Sequence, residues 1–479
     1  MTKISKTLSH SSIYLAGSIM QRSVSLIMLP IYTRYLTPTD YGVIELLSLL
    51  LDFIGIVLGL RVSQAIFRFY SHYESKRDKN ELISTAIILV GLLNVLGYCI
   101  IFIGLDFFTN ILFGDIDYKH FVALFSLTIL GQGFIEIPMT YVRAQQRPWL
   151  FVAFSFLKLL LQLSLNIYFI VFLDMHVMGV VLSALITTVV MAILLGGYTF
   201  YITGIHLSKD KAKELTLFSV PEVLTGIITF YITFGDRYFL REFYSLHDVG
   251  IYSLGYKFGF IFIFLVVQPF QNIWDSEKYN VLKQADAKYH YKEMFIKYNI
   301  VIFLVIVGLC VYVKDLLVIM SDKEFWPASK IVPIILAAYV TNAWASYLNF
   351  GILLNKKTIE ITYATLISAV AITAGYLVLI PLYGGMGAAW AALIAFSIRC
   401  IWVYFRAKRM YDMGIEWSSV FILSLVALVA AIASSFTPSH IYTSLFLNTC
   451  IFLSYCAFLL LTPQFSKRCK PVLEAILKK

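Results

Sequence analysis

The feature that most constrains this chain is a succession of long apolar runs from one end to the other. A window of about 19 residues finds about fourteen candidate membrane spans, each long enough to cross a hydrocarbon core. They fall near residues 8–33, 42–67, 82–108, 119–142, 149–173, 177–201, 217–240, 249–274, 294–313, 331–354, 359–380, 386–405, 417–436 and 441–461. Only 14% of the residues are charged, against roughly a quarter in soluble domains. We therefore expect an all-α integral membrane protein.

The N-terminal segment and the cysteines carry no sign of processing or of a metal site. The apolar run that follows the basic start continues beyond Met28 without a small-residue cleavage site, which predicts a retained first span. The six cysteines are scattered and form no CxxC pair, and the eight histidines form no HExxH motif. We expect buried free thiols, no metal and no cofactor.

The placement of the positive charges predicts the orientation. With a cytoplasmic N-terminus, about 25 Lys and Arg fall in loops on the inner side and about 7 on the other, the bias typical of inner-membrane proteins. Both termini are then cytoplasmic. The net charge of +10 is spread over short loops with no soluble basic face, so nucleic acid is excluded as a partner.

A repeat divides the chain. The stretch Asp40-Tyr41-Gly42-Val43 returns as Asp248-Val249-Gly250-Ile251, and Met178-Gly179 returns as Met386-Gly387, both about 208 positions later. This predicts two lobes of six spans in the same orientation. The boundaries are 1–205 for the first lobe, 206–412 for the second, with a linker at 206–215, and 413–479 for two further spans and a tail.

Ten of the ionisable residues inside the predicted spans form two sets of five, and the repeat does not duplicate them. The basic members are Arg22, Arg61, Lys158, Lys257 and Arg399, and the acidic members are Glu45, Asp52, Glu136, Glu222 and Asp236. Such residues either pair with one another to hold helices in register or face a cavity and bind something. Arg22 and Lys257 are the most central basic residues of the first and eighth spans, so we select them as anion-binding residues.

Several function classes lack their signatures. The chain has no G-x-x-x-x-G-K-[ST] motif for an ATP engine and no nucleophile elbow. A membrane glycan polymerase or glycosyltransferase remains the rival from another class, and it would need a long outer loop with catalytic residues. The longest outer loop, 314–330, is short, so we expect no enzyme.

The first hairpin carries a recognisable motif. Pro30 stands near the end of the first span, and Leu36 to Gly42 reads Leu-x-x-x-x-Tyr-Gly, followed after the second span by Arg68-Phe69-Tyr70. These residues resemble the bacterial polysaccharide flippases, within the superfamily of multidrug, oligosaccharidyl-lipid and polysaccharide exporters, in which the turn reads Leu-x-x-x-x-[FY]-Gly. Through span count and duplication, the resemblance covers essentially the whole chain.

The resemblance implies a two-lobed, V-shaped bundle in the bacterial inner membrane. Such a bundle moves undecaprenyl-diphosphate-linked oligosaccharide for O-antigen, capsule or exopolysaccharide from the inner to the outer leaflet by alternating access. It also implies a cationic cavity lined by the first, second, seventh and eighth spans. This supports Arg22 and Lys257 as substrate-binding residues, keeps Arg61 as a candidate, and places Lys158 and Arg399 further out. The implied partners are the lipid-linked cargo and membrane lipids, with the polymerase and other glycan-assembly proteins as candidates.

Two other transporters of the same superfamily remain alternatives. Lipid II flippases share the span count of fourteen. Drug/cation antiporters often carry a key acidic residue in the first span, and this chain has none there.

Two further sets of residues follow from a transport function. Without an ATP site, a gradient is a candidate driving force, and Glu45, Asp52 and Glu222 are the candidate ion-coupling carboxylates. The repeated turns lie on the predicted outer side and would part or meet as the lobes rock. We expect them to form a gate, with members Thr39, Asp40, Gly42, His247, Asp248 and Gly250.

Overall fold

The structure, a computed structural model, describes residues 27–59, 62–438 and 440–468. The chain divides into two compact units, Met1–Gly250 and Ile251–Lys479. In the described ranges all regular structure is helical, and twelve helical runs are long and apolar enough to cross a membrane. The predicted all-α membrane fold is therefore confirmed, and the protein is a multi-pass membrane protein.

The first unit holds ten helices and the start of an eleventh in its described part. They are α1 Leu29–Tyr35, α2 Pro38–Leu58, α3 Val62–His72, α4 Lys76–Ile103, α5 Leu105–Phe113, α6 Lys119–Ser126, α7 Thr128–Ala144, α8 Pro148–Asn166, α9 His176–Thr203, α10 Lys209–Phe243 and α11 Leu246–Phe262. A π-helical segment, Ile167–Phe172, extends α8.

In its described part, the second unit contains the rest of α11 and helices α12 to α18. They are α12 Gln268–Val281, α13 Ala287–Met320, α14 Ala328–Leu348, α15 Phe350–Leu354, α16 Ile359–Met410, α17 Trp417–Ser435 and α18 Ile441–Leu461. A π-helical turn, Ile263–Val267, joins α11 to α12.

Helix α16 accounts for two predicted spans, because it is two helices across a kink. Gly384 has φ 54°, a backbone conformation that favours glycine. A Cβ placed on Gly387 would lie 2.0 Å from the carbonyl oxygen of Leu379, so the two halves of α16 approach too closely at the kink for a side chain at this position. Each predicted span after the first thus has a helix. The first, 8–33, lies mostly outside the described residues, which include only its end.

Side-chain caps fix several helix starts. The hydroxyl of Thr37 accepts from the Asp40 amide, and the Asp40 carboxylate accepts from the Thr37 amide, which is a complete capping box at α2. At α11, Ser245 and Asp248 repeat part of this pattern, since the Asp248 amide donates to Ser245 Oγ. The repeat in the sequence is therefore a repeat of local helix-starting geometry.

The predicted linker at 206–215 is largely helical. Ser208 caps α10, which begins at Lys209. The buried ammonium of Lys211 lies 2.9 Å from Asp78 Oδ1 and 3.1 Å from Glu81 Oε2 of α4. This polar segment is ordered by a side-chain cap and by ion pairs, which a hydropathy window does not detect.

Each unit has its own packed interior. In the first, apolar residues of α3, α4 and α7, among them Ile66, Ile83 and Ile137, form one buried cluster. In the second, aromatic rings stack closely: the centroids of Phe270 and Tyr298 are 3.7 Å apart, and those of Trp274 and Tyr347 are 5.2 Å apart. These interiors hold the helices that carry the polar residues described next.

Candidate functional site

A cavity of about 870 Å³ lies inside the first unit. We call it the first-unit cavity. Helices α2, α6, α7, α8, α9 and α10 supply its walls. Its polar lining residues are Asp52, Thr128, Gln132, Glu136, Arg143, Ser155, Lys158, Gln162 and Thr188. So many polar groups within membrane-crossing helices are unusual, because exposing them to hydrocarbon is costly.

Helix α7 places its polar residues along one face. Gln132, Glu136 and Arg143 stand four and seven residues apart, so the helical period brings them to the same side. Ser63 of α3 donates to Glu136 Oε1 at 2.7 Å. The hydroxyl of Thr140 donates to Ser63 Oγ, and Arg143 Nη2 donates to Thr140 Oγ1, both at 3.1 Å. A continuous hydrogen-bonded chain thus fixes the rotamers of Glu136 and Arg143.

Two aromatic rings flank the guanidinium of Arg143. Its Cζ atom lies 5.3 Å from the ring centroid of Phe67 and 5.6 Å from that of Phe151. Cation–π attraction of this kind is worth roughly 0.5–2 kcal/mol, more where water is excluded. The arrangement holds a permanent positive charge at one end of the cavity.

Helix α8 presents Ser155, Lys158 and Gln162 from the facing wall, again at helical spacing. Lys158 interacts electrostatically with Glu136. Among the described residues, however, its ammonium has neither a hydrogen bond nor an ion pair. Asp52 of α2 likewise has no hydrogen bond in the described part of the chain. These two residues were selected from the sequence for different roles, and the structure brings them to one cavity.

Aromatic rings form part of the cavity wall beside Asp52. The rings of Phe230 and Phe234, both on α10, have centroids 5.2 Å apart, and Phe230 lies 5.6 Å from Phe53 of α2. Phe230 and Phe234 both line the cavity. Their faces are flat apolar surfaces next to hydrogen-bonding groups.

The other sequence-selected residues lie away from this lining. Glu45 is half-buried on α2 and Glu222 is half-buried on α10. Lys257 is half-buried on α11, and Arg399 donates to Asn342 Oδ1 at 3.0 Å, both in the second unit. Arg22 and Arg61 lie outside the described residues.

The N-terminal ends of α2 and α11 contact each other closely at two glycines, Gly42 and Gly250. We call residues 37–42 and 245–250 the paired turns. A Cβ placed on Gly42 would lie 2.1 Å from the carbonyl oxygen of Leu246, and one on Gly250 would lie 1.9 Å from that of Pro38. The contact is reciprocal, as the repeat predicts for equivalent positions. Thr39 is half-exposed and His247 is exposed beside it.

Asp236, one of the acidic residues selected from the sequence, forms an ion pair with the next residue of α10. Asp236 and Arg237 are both buried, each only 1% exposed, and Arg237 Nη1 lies 2.6 Å from Asp236 Oδ1. This pairing compensates the buried carboxylate locally.

Sequence reasoning missed part of the cavity lining. Gln132 and Gln162 were not selected, because neutral amides do not stand out in a hydropathy window, and Arg143 lies one residue beyond the predicted span 119–142. The signal that could have found them is the spacing of the polar residues, four and seven positions in α7 and three and four positions in α8.

In the second unit, the segment between α16 and α17 carries a charged contact. Lys292 forms an ion pair with Glu416, and the hydroxyls of Ser418 and Ser419 each donate to Glu416 Oε1 at 3.1 Å. The Lys292 ammonium, helped by these hydroxyls, holds the pKa of the Glu416 carboxyl below its ordinary value.

Comparisons with known proteins agree on the kind of molecule. Residues 8–274 match the family described as polysaccharide biosynthesis protein, which is more than half of the chain. A protein of the Lsg locus of Haemophilus influenzae is 20% identical over 288 residues, covering 58% of this chain and 67% of that protein.

Solved structures share the fold at low sequence identity. The lipid II flippase MurJ, in an inward closed conformation, superposes with a TM-score of 0.69 at 13% identity, covering 93% of this chain and 98% of that one. An inward-facing multidrug resistance MATE family transporter of the MOP superfamily gives 0.62 at 15% identity, covering 86% and 98%. The chain therefore belongs to the polysaccharide biosynthesis protein family.

Proposed function

We propose that the protein moves undecaprenyl-diphosphate-linked oligosaccharide from the inner to the outer leaflet of the bacterial inner membrane by alternating access. The cargo would serve O-antigen, capsule or exopolysaccharide synthesis. Family membership supports a lipid-linked cargo. The observation that carries the proposal is a polar cavity within membrane-crossing helices, one of whose charged residues, Lys158, has no ion pair among the described residues. Structural ion pairing alone leaves such an ammonium unexplained.

The proposed layout has two lobes, 1–205 and 206–412, followed by two further spans in 413–479, with both termini in the cytoplasm. The loop charges support this orientation. Reporter fusions after Lys79, Lys213 and Lys479 should report the cytoplasm, and fusions after Asp117 and His247 the outside. An outside signal after Lys213 would contradict the layout.

The diphosphate requires positive charge within the membrane, and we assign this role first to Arg22 and Lys257. Arg61, Lys158 and Arg399 are the further basic candidates. Arg22→Ala and Lys257→Ala should abolish glycan export at normal protein level, because an anion cannot cross hydrocarbon uncompensated. Lys257→Arg should restore part of the export, whereas Arg22→Lys restores less if its contact is bidentate. Full export by both alanine variants would contradict the assignment of Arg22 and Lys257 to diphosphate binding.

The gradient that drives transport acts, in this proposal, through Glu45, Asp52 and Glu222. The location of Asp52 in the first-unit cavity, without a hydrogen bond among the described residues, supports it best. The test compares Glu45→Gln, Asp52→Asn and Glu222→Gln with the unchanged protein over a range of pH and sodium concentration. In at least one variant, transport should no longer depend on pH or sodium. An unchanged dependence in all three variants would mean that other residues couple transport to the gradient.

The paired turns form the proposed outer gate, with Thr39, Asp40, Gly42, His247, Asp248 and Gly250. The reciprocal glycine contact supports a closed arrangement there. A Thr39→Cys, His247→Cys protein without its native cysteines should cross-link with a short reagent and stop exporting until it is reduced. The single-cysteine proteins serve as controls. Efficient cross-linking with continued export would contradict the gate.

The alternative cargo is lipid II, and the likeness to MurJ supports keeping it in the test. The two cargoes share a lipid diphosphate and differ in the headgroup. Complementation of a strain depleted of its lipid II flippase separates them: rescue would favour the alternative, and its absence with restored glycan export would favour the proposal. Drug resistance conferred by the protein would instead indicate an antiporter.

A further inference from the structure

We propose that the first-unit cavity binds the sugar part of the cargo, as a subsite for neutral, hydroxyl-rich rings. This deepens the proposed function and rests on it. The cavity, at about 870 Å³, falls within the range of roughly 300–1,000 Å³ that small-ligand pockets occupy. Its lining combines unengaged polar side chains with apolar ring faces.

Four polar side chains of the lining have no hydrogen bond and no ion pair with any residue that the structure describes. They are Asp52, Gln132, Lys158 and Gln162. In a membrane-crossing segment such groups need water or a ligand, because an unsatisfied polar group is costly there. Four of them around one cavity mark a surface shaped to meet a polar molecule.

The chemistry of these groups matches hydroxyls better than ions. Each glutamine amide offers two donor hydrogens and an acceptor oxygen, the pattern that neighbouring hydroxyls on a ring complement. Asp52 adds acceptors and Lys158 adds donors. Glu136, held by Ser63, and Arg143, held by Thr140, complete the ionisable lining.

The formal charges of the cavity argue against a lone phosphate group as the ligand that fills it. Asp52 and Glu136 are acidic, whereas Arg143 and Lys158 are basic, so the four charges cancel. A lone phosphate would meet as much repulsion as attraction. In the described ranges, moreover, no group of three or more His, Cys, Asp or Glu could hold a metal ion.

The apolar side of the lining fits the faces of sugar rings. Phe151, Phe230 and Phe234 line the cavity, and Phe230 and Phe234 stand next to each other. A sugar ring has hydroxyls on its edge and C–H groups on its faces, so aromatic rings beside amides can contact both. A lipid tail would satisfy the phenylalanines but leave the polar groups without partners.

The experiment separates this subsite from the diphosphate site by varying the cargo. The purified full chain in proteoliposomes is given two probes: a polyprenyl diphosphate carrying no sugar, and the same lipid carrying a neutral tetrasaccharide. The Gln132→Leu, Gln162→Leu double variant keeps side-chain size but removes hydrogen bonding. It should slow flipping of the tetrasaccharide lipid roughly thirtyfold, since two hydrogen bonds are lost and each is worth about 1 kcal/mol. Flipping of the sugar-free lipid should stay within about twofold.

The matched control is Gln284→Leu, the same change at an exposed position between α12 and α13. It should transport both probes as the unchanged protein does. Equal slowing of both probes by the double variant, or no slowing of either, would overturn the subsite while leaving the flippase function standing. Failure of the unchanged protein to flip either probe would instead overturn the proposed function.

Discussion

Two polar regions of this protein, one in each unit, differ in how their ionisable residues are hydrogen-bonded. In the second unit, the buried Asp315 of α13 accepts hydrogen bonds from Ser444 Oγ and Asn448 Nδ2 of α18, both at 2.6 Å. In the first-unit cavity, Asp52 and Lys158 make no hydrogen bond among the described residues. A charge within a membrane-crossing helix is therefore fully hydrogen-bonded in one region and open to a ligand in the other.

The most direct test of this comparison is to remove the hydrogen-bonded carboxylate of Asp315. Asp315→Ala should lower the free energy of unfolding by about 3 kcal/mol, because Ser444 and Asn448 then lose their buried acceptor. Thermal unfolding in detergent measures it. Glu277→Ala, an exposed carboxylate of the same unit, is the control and should change stability little. A shift below about 0.5 kcal/mol for Asp315→Ala would mean that the cluster is not structural.

The paired turns give the next largest effect. Gly250→Ala places a methyl group against the Pro38 carbonyl, so we expect the closed contact to lose about 2 kcal/mol, as in overpacked cores. The yield of the Thr39–His247 cysteine cross-link should fall accordingly. Gly197→Ala is the matched control, since a Cβ there meets nothing within 4 Å. Equal cross-linking in the two variants would show that the contact tolerates a side chain.

For the first-unit cavity we expect a smaller change in the free energy of unfolding, in the opposite direction. Lys158→Met removes an ammonium that has no ion pair in the described part of the chain, so the free energy of unfolding should stay the same or rise by up to about 1 kcal/mol. The same thermal unfolding assay measures it. A loss as large as that of Asp315→Ala would place Lys158 with the structural residues and weaken the comparison.

The smallest effect concerns pH in the second unit. Because Lys292 keeps the pKa of Glu416 below its ordinary value, this contact stabilises the folded state above the ordinary glutamate range and is lost as pH falls through the lowered value. Glu416 is partly exposed, so the contribution is about 0.5 kcal/mol. Glu416→Gln should reduce the acid sensitivity of unfolding below about pH 4, and added salt should reduce it in the unchanged protein. An identical acid profile for Glu416→Gln would contradict this assignment.

Much of the fold follows from the sequence, because its signals are local. The length of each apolar run determines a membrane-crossing helix, and Thr37 with Asp40, or Ser245 with Asp248, determines where a helix begins. The glycines of the paired turns were found through the repeat alone. The helical start at Lys209 was missed, because its ion pairs join residues more than a hundred positions apart.

The candidate site shows the same difference between local and long-range signals. The sequence by itself determined that Asp52 and Lys158 stand inside membrane spans and that the chain resembles the polysaccharide flippases. Only the tertiary structure decided that these two share a cavity with Gln132 and Gln162, while Asp315 accepts a hydrogen bond from Asn448. The physical reason is that helix formation and its apolar face depend on residues close together in the sequence. The partner of a polar group depends instead on packing between helices that are distant in the sequence.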